Sequence, residues 1–139
     1  MNPRNREYFD QQVEWVLARL PQDVLHILQE VPLYVEDQPS RRLMQTLDIG
    51  DARKLCGYFS GTPHGKTSRY FGSNVYHPAE IPVPKSVTLF RRGIVAAVRD
   101  EAGRVRRNGL RQQIRTTVLR ELARLHGIKE GEIAGTRYG

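Results

Sequence analysis

The sequence has very little of three features that would each indicate a class of protein. Cys56 is the only cysteine, so an internal disulfide, a thiolate zinc cluster and a redox pair are all excluded, and we expect a small core side chain. The apolar runs are only a few residues long, far below the roughly 20 needed to cross a bilayer. No apolar segment of signal-peptide type follows the first seven residues, so we expect a cytoplasmic protein without a membrane span.

Acidic residues are scarce in one part of the chain. Residues 91–124 contain ten arginines but only the acids Asp100, Glu101 and Glu121, whereas residues 1–90 hold ten basic and ten acidic side chains. The formal charge of +7 therefore originates in residues 91–124. Such a segment can bind nucleic acid or an acidic partner, or it can be a solvated face. No helix-turn-helix or RNA-binding signature decides between these alternatives.

Length and hydrophobic periodicity predict a single α+β domain over residues 1–139. A chain of 139 residues with 39% hydrophobic composition suffices for one core. A long loop is predicted over residues 61–84, because this stretch contains three glycines and four prolines, which interrupt helices and strands. Spacing predicts strands over residues 31–36, 55–60 and 87–90. Spacing and caps predict helices from Asn5 to Leu20, from Gln22 to Glu30, after a Ser40 cap, over 94–98, and from Leu110 to His126 after an Asn108 cap.

The final predicted helix has an apolar face and a polar face. On a helical wheel the apolar face carries Ile114, Val118, Leu122 and Leu125, which should pack on the sheet. The opposite side carries Gln113, Thr117, Arg120, Glu121 and Arg124. Because Arg124 follows Glu121 by three residues, the two side chains are expected to form an ion pair.

The polar face contains the frame of a zinc-peptidase motif without its histidines. Arg120-Glu121-Leu122-Ala123-Arg124 matches H-E-x-x-H only at Glu121. In that motif two histidines one turn apart bind zinc, and the glutamate activates the metal-bound water. Arginine has only hydrogen-bond donors and stays protonated, so it cannot replace a histidine ligand.

Four separated segments together resemble the bacterial family of minimal zincin-like metallopeptidases. The resemblance covers roughly residues 7–133 and keeps the order of the family's segments. The segments are Val35-Glu36-Asp37-Gln38-Pro39-Ser40, Leu55-Cys56-Gly57-Tyr58-Phe59-Ser60-Gly61-Thr62-Pro63, Ile81 to Arg91 with its Pro-x-x-Val-Thr-Leu-Phe pattern, and Gln113 to Glu130.

The resemblance implies a fold and a set of site residues. The fold is a minimal zincin-like α+β domain with N-terminal helices, a small mixed sheet and a C-terminal helix carrying the motif. Arg120 and Arg124 fall on the two zinc histidines, Glu121 on the general base and Glu130 on an acidic third ligand. Together with Thr117 these residues are the expected binding set, and neither a catalytic residue nor a metal ligand is expected among them.

The expected function is that of a catalytically degenerate homologue, without zinc or another cofactor, that binds a peptide or protein partner. One alternative is an active metallopeptidase with rearranged ligands, which would use zinc and could draw on His64, His77, His126 or Glu130. The other alternative is a basic nucleic-acid-binding module that uses residues 91–124.

Overall fold

A computed structural model describes residues 1–61 and 84–126 of the chain. The described residues form both helices and a small sheet, and the predicted α+β class is confirmed. Most of the predicted loop over 61–84 lies outside the described residues, as do Gly127 and everything after it. The elements in chain order are α1 (Pro3–Leu17), α2 (Gln22–Leu28), β1 (Leu33–Glu36), α3 (Arg41–Thr46), a 3₁₀ turn (Ala52–Lys54), β2 (Gly57–Ser60), β3 (Ser86–Phe90), α4 (Arg91–Val98) and α5 (Arg107–Leu125).

The strands form a small mixed sheet in the order β1-β3-β2. β3 pairs parallel with β1, where Val35 lies beside Leu89, and antiparallel with β2, where Gly57 lies on the other side of Leu89. Val87 and Leu89 of this central strand are fully buried. β1 is at one edge, which agrees with Pro32 directly before it because a proline has no N–H for a ladder.

Local capping explains where several helices begin. The Asn2 side chain accepts a hydrogen bond of 2.8 Å from the Asn5 N–H, so α1 begins at Pro3, two residues before the predicted start. The predicted Ser40 cap of α3 is confirmed by a hydrogen bond of 3.1 Å from the Leu43 N–H. The predicted Asn108 cap of α5 is wrong, because the helix already begins at Arg107 and has no side-chain cap.

One hydrophobic core joins α1, α2, the sheet, α4 and α5. α5 lies against α1, α4, β2 and β3, so it is covered on more than one side. None of the helices among the described residues is long and apolar enough to cross a membrane. The core side chains of α5 include the fully buried Leu110, Ile114 and Val118.

The first arginine of the basic segment is a structural residue. Arg91 at the start of α4 donates hydrogen bonds of 3.0 and 2.9 Å to both carboxylate oxygens of Asp10 in α1. It also donates one of 2.9 Å to Asp37, which follows β1 and is paired with Arg6 as well. Hydrogen bonds from Arg6 and Arg91 lower the pKa of Asp37 below its usual value, although loss of contact with water acts in the opposite direction. This network ties α1, the end of β1 and α4 together.

Gly93 allows α4 to lie directly on the chain before β2. A Cβ placed on Gly93 would lie 1.8 Å from the carbonyl oxygen of Leu55. Backbone atoms cannot yield as a flexible side chain can, so only glycine fits there. In the same region the Phe90 N–H donates a hydrogen bond of 2.8 Å to the Cys56 carbonyl, which fixes the end of β3 against the start of β2.

Alanine at Gly93 should destabilise the protein strongly. We expect Gly93→Ala to lower the free energy of unfolding by about 3 kcal/mol, at the upper end of the range for overpacking. The matched control is Gly109→Ala in α5, where a Cβ meets nothing within 4 Å. That change should raise stability by about 0.5–1 kcal/mol, since alanine is the better helix former. Urea unfolding followed by circular dichroism measures both, and equal effects at the two positions would contradict the packing argument.

Candidate functional site

The middle of α5 buries two side chains that the helical wheel placed on the polar face. Thr117 and Glu121 are among the most buried polar residues, with Glu121 only 4% exposed. They lie against β2, so the prediction of a single apolar face was incomplete. Arg120 is half-buried, and Arg124 is exposed. The structure therefore brings four of the five predicted site residues to one stretch of helix beside β2; the fifth, Glu130, lies outside the described residues.

Gly57 makes this close packing possible. A Cβ at Gly57 would lie 2.6 Å from Thr117 Cγ2 and 3.2 Å from Glu121 Cγ. The first distance is far below van der Waals contact, so β2 lies as close to α5 as a glycine permits. The backbone of β2 thus forms one wall of the site, and α5 forms the other.

The buried carboxylate has a basic partner on the same helix. Arg124 Nη1 donates a hydrogen bond of 3.0 Å to Glu121 Oε2, so the predicted ion pair is confirmed. The Glu121 side chain is only 5% exposed, but the Arg124 side chain is 46% exposed. A buried carboxylate without a partner is strongly destabilising, whereas water screens an arginine at the surface. The pair therefore serves mainly to compensate the charge of Glu121.

Thr117 is held by a short polar network with Gln113. Its hydroxyl donates to the Gln113 carbonyl at 2.8 Å and accepts from Gln113 Nε2 at 3.2 Å. Gln113 Nε2 also lies 4.0 Å from Cys56 Sγ, at the limit of a hydrogen bond to sulfur. Thr117 is thus fixed with its methyl group towards Gly57.

Cys56 lies close to the site residues, a position that was not predicted from the sequence. Burial raises the pKa of its thiol, while the nearby charge of Arg120 lowers this pKa and that of Glu121 raises it. Cys56 also packs against the hydrophobic core, as expected of a small core side chain. The sequence feature that could have indicated this position is that Cys56 directly precedes Gly57 in one of the four segments that resemble the family.

Of the histidines considered as replacement zinc ligands, the structure describes only His126. His126 is the C-cap of α5, and its backbone N–H donates a hydrogen bond of 3.0 Å to the Leu122 carbonyl. His64 and His77 lie outside the described residues, as Glu130 does. Within residues 1–61 and 84–126, no group of three or more His, Cys, Asp or Glu side chains is arranged to hold a metal ion.

The side chains at the three motif positions do not fit zinc. A catalytic zinc site needs three protein ligands with lone pairs, and Arg120 and Arg124 have only donors. The remaining side chain of this set is Glu121, and its Oε2 atom accepts a hydrogen bond from Arg124. Two guanidinium groups also add about two positive charges where a dication would have to lie, which repels it.

The close packing at Gly57 can be tested by a rescue experiment. We expect Gly57→Ala to lower the free energy of unfolding by about 1–3 kcal/mol, because the new methyl group overlaps Thr117 Cγ2. Thr117→Ser removes this methyl group and keeps the hydroxyl, so the double variant should recover part of the loss. Urea unfolding of both single variants and the double variant measures the coupling. Additive losses would contradict direct contact between the two positions.

A search of curated protein sequences gives no match. The family model described as zincin-like metallopeptidase matches residues 28–138, which is 111 of the 139 residues. The match begins in α2 and includes the sheet, α4 and the whole of α5. The chain therefore belongs to the zincin-like metallopeptidase family.

Proposed function

We propose that this chain is a catalytically degenerate zincin-like protein that does not bind zinc and instead binds an extended peptide segment of a partner. The observation that carries the proposal is the 3.0 Å ion pair between Glu121 and Arg124. In the family motif the glutamate serves as general base for a metal-bound water. Here the same carboxylate has a guanidinium partner from the position of the second histidine.

Arginines at the two histidine positions remove the metal on which hydrolysis by this motif depends. A general base acts on a proton within hydrogen-bond reach, and that proton belongs to a water whose pKa the metal has lowered. Without the metal this water is a weak nucleophile. Glu121 then contributes a buried negative charge that holds Arg124 in place rather than a catalytic step.

The surroundings of the site support peptide binding. In the described part of the sheet, β2 has β3 as its only neighbour, so its other edge can pair with an added extended strand. Arg120 and Arg124 lie on the helix beside β2. Guanidinium groups bind carboxylates through two parallel hydrogen bonds, which favours a ligand with a free C-terminal carboxylate.

Zinc content separates this proposal from an active enzyme with rearranged ligands. Protein purified without chelator should contain clearly less than one zinc per chain by plasma mass spectrometry. Changing Arg120→His and Arg124→His together should introduce about one zinc per chain, because both imidazoles then lie one turn apart with Glu130 at the third position. Stoichiometric zinc in the wild type would overturn the proposal. A folded double variant without zinc would contradict the alignment of the motif.

Peptide binding can be measured separately by fluorescence anisotropy. The probe is a fluorescein-labelled hexapeptide of alternating valine and threonine with a free C-terminal carboxylate, and its amidated form is the control ligand. We expect binding without cleavage, and about tenfold weaker binding after Arg120→Lys with Arg124→Lys, which keeps the charge beside Glu121 but removes the forked donors. The variant control is Arg41→Lys with Arg42→Lys on the exposed face of α3. Equal binding of the free and amidated peptides would refute carboxylate recognition.

A further inference from the structure

A second surface, away from the β2 site, combines exposed aromatic rings with arginines. We call it the Trp15 patch and define it by Tyr8 and Trp15 of α1, Arg19 just after α1, and Arg107 and Arg111 of α5. Tyr8 is 42% and Trp15 36% exposed, although large aromatic side chains are usually buried. None of these residues belongs to the predicted binding set on α5.

Two guanidinium groups are stacked on the Trp15 ring. The Cζ atom of Arg111 lies 3.7 Å from the ring centroid, and that of Arg19 lies 3.9 Å from it. Arg111 Nε donates a hydrogen bond of 2.7 Å to Gln12, which is only 6% exposed, and Arg19 Nη1 donates one of 2.9 Å to the Trp15 carbonyl. The guanidinium groups are therefore positioned before any ligand binds, which lowers the entropy lost on binding.

The positive charge of the Trp15 patch is not neutralised by the described part of the chain. Within residues 1–61 and 84–126, none of Arg19, Arg107 and Arg111 forms an ion pair. Loss of contact with water lowers the pKa of Arg111, and the charges of Arg107 and Arg19 lower it further, while Tyr8 acts in the opposite direction. Like charges held this close together repel each other, so an anion placed between them would stabilise the arrangement.

We infer that the Trp15 patch binds single-stranded nucleic acid. The three arginines would contact successive phosphates, and bases would stack on the exposed Tyr8 ring and on the outer faces of the guanidinium groups that cover Trp15. An acidic protein partner would need the arginines but neither the exposed Tyr8 ring nor the Trp15 ring between Arg19 and Arg111. The interleaving of rings and guanidinium groups therefore favours nucleic acid.

This surface differs from the basic segment recognised in the sequence. Only Arg107 and Arg111 come from residues 91–124, whereas the rings and Arg19 come from the N-terminal part of the chain. The inference does not depend on the proposed function at β2. It stands whether or not the chain binds zinc or a peptide at β2.

The sole tryptophan of the chain reports directly on the proposed site. The probe is a fluorescein-labelled oligothymidylate of about 15 nucleotides, near the upper site size of one small binding domain. We expect the anisotropy of the probe to rise as protein is added at low salt. In a parallel titration with the unlabelled oligonucleotide, Trp15 fluorescence should be quenched with the same midpoint. The affinity should fall steeply as salt increases, because phosphate contacts release counterions. Absence of binding at low salt overturns the inference.

Variants connect the binding to this surface. Arg19→Gln with Arg107→Gln should weaken binding at least tenfold and reduce the slope against log salt by about 2. Arg41→Gln with Arg42→Gln removes the same charge from α3 and should have little effect. Trp15→Ala should weaken binding about tenfold, whereas Trp15→Phe, which keeps a ring, should retain most of the wild-type affinity. Thermal unfolding of each variant establishes that it is folded.

Three results would contradict the inference. An equal loss of affinity in the Arg19/Arg107 and the Arg41/Arg42 double variants would show that binding depends only on net charge. Binding without quenching of Trp15 would place the nucleic acid elsewhere on the protein. A polyglutamate peptide that binds as tightly as the oligonucleotide, with the same quenching, would identify the patch as a surface for acidic protein partners.

Discussion

Burial of the Glu121 carboxylate beside β2 is the constraint on which the arrangement of α5 depends. Removing a carboxylate from water costs several kcal/mol unless a partner compensates its charge. Arg124 provides such a partner at 3.0 Å from the same helix. Gly57 lets the strand approach closely enough to cover Glu121 and Thr117. Charge compensation and close backbone packing thus support each other at one point of the fold.

The same residues explain why a family fold and a family activity need not coincide. The sheet and helices that hold a zincin-like site depend on buried apolar side chains and on close approaches such as those at Gly57 and Gly93. A metal site depends in addition on lone pairs at a few positions. Arginine at positions 120 and 124 leaves the first requirement untouched, and its side chain offers no lone pair for the second. The ion pair between Glu121 and Arg124 lies at the positions that the family motif gives to the general base and the second histidine.

The arginine-rich segment is divided among three different roles in the folded chain. Arg91 is held between Asp10 and Asp37 and connects elements that are far apart in sequence. Arg124 compensates Glu121, and Arg111 lies on the ring of Trp15. One charge run in the sequence is therefore not one patch on the surface. An arginine contributes to an electrostatic surface only if no carboxylate neutralises it, and that depends on which elements meet.

The sequence by itself determined what depends on neighbours along the chain. Hydrophobic spacing placed the helices and strands, Ser40 was recognised as a helix cap, and the pairing of Glu121 with Arg124 followed from three residues of separation on one helix. The family motifs added the zincin-like fold. Only the tertiary structure decided that Thr117 and Glu121 are buried, that Cys56 lies beside them, and that Arg111 stacks on Trp15. These depend on contacts between elements far apart in sequence, whose distance and orientation no local pattern of side chains encodes.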